Sequence, residues 1–155
     1  MEEIRMALQL EKDGYAYYKK AAELCPNVYG KKIFEKLAKD EIKHLQIFKR
    51  IAEEIFGKIE EEGKEAKHLD IFEEIDFSTK AGEYAALDHA IKFEERAYEY
   101  FKNAAEKAKN EKIRALFEKI AKEEEMHKAL LEAERSYLHK SGIWFDYQEF
   151  QMDGL

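Results

Sequence analysis

Apolar positions recur along this chain at the three- and four-residue steps of an α-helix, in four separate stretches. The first runs from about Ile4 to Leu24, with Ile4, Leu8, Tyr15, Tyr18 and Ala22 on one face. It stops at Cys25-Pro26-Asn27, where the proline pushes its predecessor out of helical geometry. The second starts near Tyr29 to Lys31, carries Ile33, Leu37, Phe48, Ile51 and Ile55, and ends around Gly57 to Gly63. The third covers roughly Glu83 to Lys107, with Leu87, Ile91, Tyr98 and Phe101 inward. After a turn near Lys109-Asn110, the fourth runs from Glu111 to about Lys140. There His139 and Lys140 suit the helix dipole and Gly142 suits a C-cap.

Residues 63 to 82 break the pattern at Gly63, Asp70, Asp76, Ser78, Thr79 and Gly82, yet Leu69, Ile71, Phe72, Ile75 and Phe77 can anchor the segment. This predicts one long ordered crossover. Short turns make antiparallel neighbours, and a single crossover gives the ferritin-like variant of the four-helix bundle. The expected domain is therefore an all-α bundle over residues 1–142. It comprises one helical hairpin at about 3–62, the crossover at 63–82 and a second hairpin at about 83–140. The tail, residues 143–155, is too short for a fifth long helix, and Ile143, Trp144, Phe145 and Tyr147 are expected to cover the bundle or a subunit contact.

Composition agrees and narrows the function. One proline and seven glycines in 155 residues leave little punctuation for a many-stranded fold. A formal charge of −7 removes the electrostatic footing for binding nucleic acid. The single Cys25 rules out an internal disulfide framework and any four-cysteine metal site, and no function is assigned to it. Charged residues (39 %) interrupt every apolar run before membrane-spanning length, and the first residues do not read as a secretory signal. A cytoplasmic protein is expected.

The chemistry emerges from an internal repeat. Shifting the chain by 83 residues aligns Leu10–Glu23 with Phe93–Glu106 at seven identities in fourteen, and Ile33–His44 with Leu116–His127 at seven in twelve. Four acids and two histidines survive the shift: Glu11 with Glu94, Glu41 with Glu124, and His44 with His127. Residues three apart share a helix face, so each Glu-x-x-His unit can direct both side chains at one point. Glu11 falls between Leu8 and Tyr15, and Glu94 between Ile91 and Tyr98, which are apolar-face positions.

Four unpaired carboxylates in one core are costly. Two divalent cations resolve the cost: charges of −4 and +4 cancel, and neutral imidazoles complete the coordination. Two lone glutamates plus two Glu-x-x-His units match the ligand layout of di-iron and di-manganese bundles. Carboxylate with imidazole suits Fe or Mn, while Zn can occupy such a site without redox chemistry.

Glutamate is abundant here, so single Glu-x-x-His spacings arise by accident. Glu65 and His68 show the spacing inside the crossover, have no partner 83 residues later, and are read as incidental. Asp40, Glu95, Glu123 and Glu125 sit one residue from a proposed ligand, about 100° around the helix, and are expected to face solvent. His89 and His139 are expected at the surface or as caps. Tyr15 and Tyr98 lie one turn beyond the lone glutamates and Tyr18 nearly two. Each is read as core packing or as a phenol that hydrogen-bonds a ligand carboxylate.

At these residues the chain resembles the rubrerythrin or erythrin branch of the ferritin-like di-iron family, over about residues 3 to 140. The resemblance implies two Fe ions per chain, bridged by Glu41 and Glu124, with Glu11 and Glu94 terminal and His44 and His127 supplying nitrogens. It also implies reduction of peroxide or reaction with O₂. Full-length rubrerythrins add a rubredoxin-like four-cysteine iron site, and Cys25 alone cannot build one. An external donor such as a rubredoxin-like protein is therefore expected. Rubrerythrins also carry an extra Glu one turn before the third-helix ligand, where this chain has Ile91; this points to a simpler six-ligand site, as in bacterioferritin-like ferroxidase centres. Three readings follow: a di-iron oxidoreductase acting on peroxide or O₂, an iron-handling ferroxidase, or a bundle whose metals have a non-catalytic role. Frequency among oligomers favours a homodimer.

Overall fold

The computed structural model describes residues 2–59 and 69–148. The Glu65–His68 pair, the first part of the crossover and the end of the tail lie outside these residues. Four long helices run α1 (Glu2–Leu24), α2 (Val28–Phe56), α3 (Lys80–Lys107) and α4 (Glu111–Ser141), and the described residues contain no strand. The chain is all-α, a ferritin-like bundle in which α1 packs chiefly on α2 and α3 on α4. No described helix is long and apolar enough to cross a membrane.

Side-chain caps set the boundaries. Asn27 Oδ1 accepts from the backbone N–H of Tyr29 (2.9 Å) and Gly30 (3.2 Å), which starts α2 at Val28. Thr79 Oγ1 accepts from Gly82 N at 3.0 Å, so α3 begins at Lys80, three residues before the expected start. Asn110 caps α4, which ends at Gly142 in the left-handed region, φ 78°, as the Gly predicts.

From Leu69 the crossover forms a 3₁₀ turn (Leu69–Glu73) that contains Phe72, with Ile75 and Phe77 after it, and all three side chains are buried. The tail closes the same end. Trp144 is buried, its ring 6.0 Å from Phe34, and its Nε1 donates to Glu83.

The core is divided. One apolar cluster contains Tyr18, Phe34, Leu87, Leu131, Leu138 and Trp144; the other contains Ile4, Leu8, Phe48, Phe101, Phe117 and Ile120. On α1 the second cluster comes first in sequence, on α2 last, on α3 last and on α4 first, as antiparallel hairpins require. Between the two clusters every helix carries one polar layer at mid-length.

Candidate metal centre

That layer holds the six repeat-matched residues. Glu11 comes from α1, Glu41 and His44 from α2, Glu94 from α3, and Glu124 and His127 from α4. The four carboxylates are 0–1 % exposed and both histidines 5 %. They form two overlapping donor sets, Glu11–Glu41–His44–Glu124 and Glu41–Glu94–Glu124–His127, each with ligand atoms within 4.8 Å of one another. Glu41 and Glu124 belong to both sets.

The imidazoles present Nδ1 inward. His44 Nδ1 is 3.1 Å from Glu124 and 3.4 Å from Glu11, and His127 Nδ1 is 3.4 Å from Glu41 and 3.5 Å from Glu94. Their Nε2 atoms point outward and are gripped across the helix pair. His127 Nε2 donates to Asp40 Oδ2 at 2.9 Å, and His44 Nε2 donates to Glu123. A proton fixed on Nε2 leaves the Nδ1 lone pair for a metal, the arrangement that orients metal-binding histidines.

Asp40 and Glu123 thus correct the expectation that they face solvent. Both are half-buried, because 100° around from the ligand glutamates is the side on which α2 meets α4. They match each other under the 83-residue shift, so the repeat carried the signal. Glu95 and Glu125 are exposed, as expected.

Electrostatics describe a site that needs positive charge. Burial pushes the Glu11, Glu41 and Glu94 carboxyls well above the usual range, and repulsion from neighbouring carboxylates adds to it. Burial pushes Glu124 up too, but contacts with Glu94 and the histidines outweigh it and hold its pKa low. Burial opposes charge on His44, yet its hydrogen bond to Glu123 and the close Glu124 and Glu41 carboxylates lift it to about 10, and His127 is raised in the same way by Asp40, Glu41 and Glu94.

The inner atoms fit a metal pair. Both oxygens of Glu11 and Glu124, one each of Glu41 and Glu94, and both Nδ1 atoms have no hydrogen-bond partner among the described residues. Orphaned donors and acceptors of this kind are rare in a native core. Oxygen and imidazole donors with four negative charges suit two divalent first-row ions.

Of the three tyrosines, Tyr18 touches the cluster: its hydroxyl donates to Glu94 Oε1 at 2.5 Å in full burial. Tyr15 and Tyr98 are half-buried, with Lys19 and Lys102 over their outer faces. Tyr17 takes the inward place on α1 and donates to Ala86 O at 2.7 Å. The residue matching Tyr18 is Phe101, so only the Glu94 side receives a phenol. His89, expected at the surface, is half-buried with its ring 5.2 Å from Tyr17, while His139 is exposed in the last turn of α4.

Two further residues had not been singled out. Gly14, one turn after Glu11, makes room for its neighbours; a Cβ there would lie 2.9 Å from Phe93 and 3.1 Å from Glu41 Oε2. Glu134 on α4 is fully buried, between Leu131 and Leu138 of the cluster that contains Trp144, with one oxygen accepting from Phe145 N at 3.4 Å and the other without a partner among the described residues. Its match under the shift is Ile51, so the repeat offers no signal for it.

A family model for rubrerythrin matches residues 2–135, spanning α1 to α3, most of α4 and all six residues of the cluster. Comparison with curated proteins and with solved structures gives no match. With the match over most of its length, and a buried carboxylate–histidine cluster compatible with a di-iron site, the chain belongs to the rubrerythrin family of ferritin-like proteins.

Proposed function

We propose that this chain is a non-haem di-iron oxidoreductase that reduces peroxide or O₂ with electrons from a separate donor. The observation that carries this reading is the pair of donor sets sharing Glu41 and Glu124 in a layer sealed at both ends by apolar clusters. Two bound irons would supply two electrons at one place, which is what conversion of a peroxide to water requires.

The chain's own residues do the rest. Glu11 and His44 would hold one ion and Glu94 and His127 the other, with Glu41 and Glu124 reaching both. Asp40 and Glu123 fix the imidazoles. Tyr18, 2.5 Å from Glu94, is placed to hold a proton at that oxygen or pass it on. The apolar layers above and below keep bulk water out of the reacting volume. The single Cys25 builds no four-cysteine iron site within this chain, so electrons come from outside it. The reading extends to a cytoplasmic homodimer.

A second reading, oxidation of Fe(II) for handling or transfer, draws on Ile91, which leaves six ligands and no seventh carboxylate one turn before Glu94. Mixing the Fe(II)-loaded protein anaerobically with one equivalent of peroxide separates them. Rapid formation of a coupled diferric spectrum that a reductant reverses supports the first. Rapid reaction with O₂ but slow reaction with peroxide moves the assignment to the second. No reaction with either leaves a structural metal role.

A further inference from the structure

A groove of about 910 Å³ runs along the outside of the bundle between α2 and α4, and His44 and His127 form part of its lining. These rings stack 6.0 Å apart at an interplanar angle of 19°. They are the most exposed of the six cluster residues at 5 %, against 0–1 % for the glutamates, so they bring the centre closest to solvent. Ile47, Met126 and Leu130 give the groove an apolar middle, and Met126 is 69 % exposed. Lys36, Lys43 and Lys119 also line it. Of the two acids in the lining, Asp40 bonds both His127 and Lys36 and Glu123 bonds His44, so Lys43 and Lys119 carry the groove's unpaired positive charge among the described residues.

An occupant of this groove meets imidazole edges and their bonded carboxylates before it meets the inner oxygens. A substrate that must touch the metals is obstructed there, whereas an electron needs only to cross one ring. Lys43 and Lys119 bias the charge of what docks, since this strip attracts acidic partners. We propose that the α2–α4 groove is the docking surface for the electron donor: a one-electron redox protein whose cofactor edge lies in an apolar patch rimmed by acidic residues. The inference rests on the reading of the centre as a reductase. Each encounter oxidises the donor by one electron. Two encounters supply the two electrons that, with two protons, convert one peroxide into two waters.

The test has a binding arm and a kinetic arm, both on the full chain. In the first, oxidised acidic rubredoxin is titrated into methyl-labelled protein. Shifts confined to Ile47, Met126 and Leu130, lost in Lys43→Glu/Lys119→Glu and weakened by salt, are expected; shifts elsewhere, or none, overturn the assignment. In the second, reduction of the oxidised iron-loaded protein is timed with a sulfonated, anionic viologen radical and with cationic methyl viologen radical. Charge reversal should slow the anionic donor about tenfold at low ionic strength and speed the cationic one, while Lys109→Glu at the α3–α4 turn changes neither. Equal effects of the groove and turn variants overturn the proposal. So does a dimer that Met126→Glu dissociates, since a second copy then fills the groove. Reaction of the chemically reduced variant with peroxide stays at the wild-type rate if only the docking claim fails; loss of that reaction in wild type marks failure of the reductase reading itself.

Discussion

Replacing Glu11 by methionine should stabilise the metal-free protein and abolish its stabilisation by metal. Glu11 is 1 % exposed, and neither of its oxygens has a hydrogen-bond partner among the described residues. Leaving such a group buried costs about 1–3 kcal/mol. Methionine has similar length, packs adaptably and carries no such cost. The change also relieves repulsion on Glu94 and Glu124, while His44 Nδ1 keeps Glu124 at 3.1 Å. A gain of about 2 kcal/mol corresponds to a rise in Tm of about 4–8 °C for a domain of this size. With metal at a thousand times its Kd, the wild type gains about 4 kcal/mol, and the variant, short of one donor, gains far less. The order of stability should therefore invert between chelator and saturating Mn(II), read by calorimetry or circular dichroism at pH 7. A variant less stable than wild type in chelator, or one that metal stabilises equally, would refute the reasoning.

Other changes test the surrounding shell. Asp40→Ala or Glu123→Ala frees one imidazole Nε2 and should weaken metal binding about 10–100-fold with the helical spectrum unchanged, as measured by competition with a chelator. Tyr18→Phe leaves Glu94 Oε1 without its phenol and should cost about 1–3 kcal/mol by chemical denaturation, even though Phe occupies the matching position 101. Burial raises the Glu134 pKa to about 8. A folded-state value above the unfolded one means that its contribution to stability is full below about 4.5 and is lost as pH rises through about 8. Glu134→Gln should therefore match wild type near pH 4 and melt several degrees higher at pH 9. Trp144, the chain's sole tryptophan, packs in the same cluster and reports the change by fluorescence.

What could be read from the sequence and what could not divide along physical lines. The four helices were legible because their apolar faces recur at helical spacing and their ends carry Pro26, Asn110 and Gly142. The early start of α3 was not, because Thr79 acts as a cap only where its hydroxyl meets Gly82 N. The coming together of Glu11, Glu41, His44, Glu94, Glu124 and His127 was legible because a duplicated hairpin puts matched residues at one height in the bundle. Asp40 and Glu123 were misplaced because an angular offset on one helix does not say which neighbour stands on that side. Tyr15 and Tyr17 differ by two residues on α1, and the one that turns inward is the one whose hydroxyl reaches the Ala86 carbonyl on α3. Nothing in the pattern marked Glu134, whose burial depends on how the residues after Gly142 fold back over α4.

The central claim is that this layer binds two metal ions held jointly by Glu41 and Glu124. Anaerobic titration with ⁵⁷Fe(II), followed by Mössbauer spectroscopy, tests it most directly. The account predicts saturation at two irons per chain in two similar environments, with both lost together in Glu41→Ala and in Glu124→Ala. Saturation at one iron, no binding, or a variant that keeps two irons would contradict it.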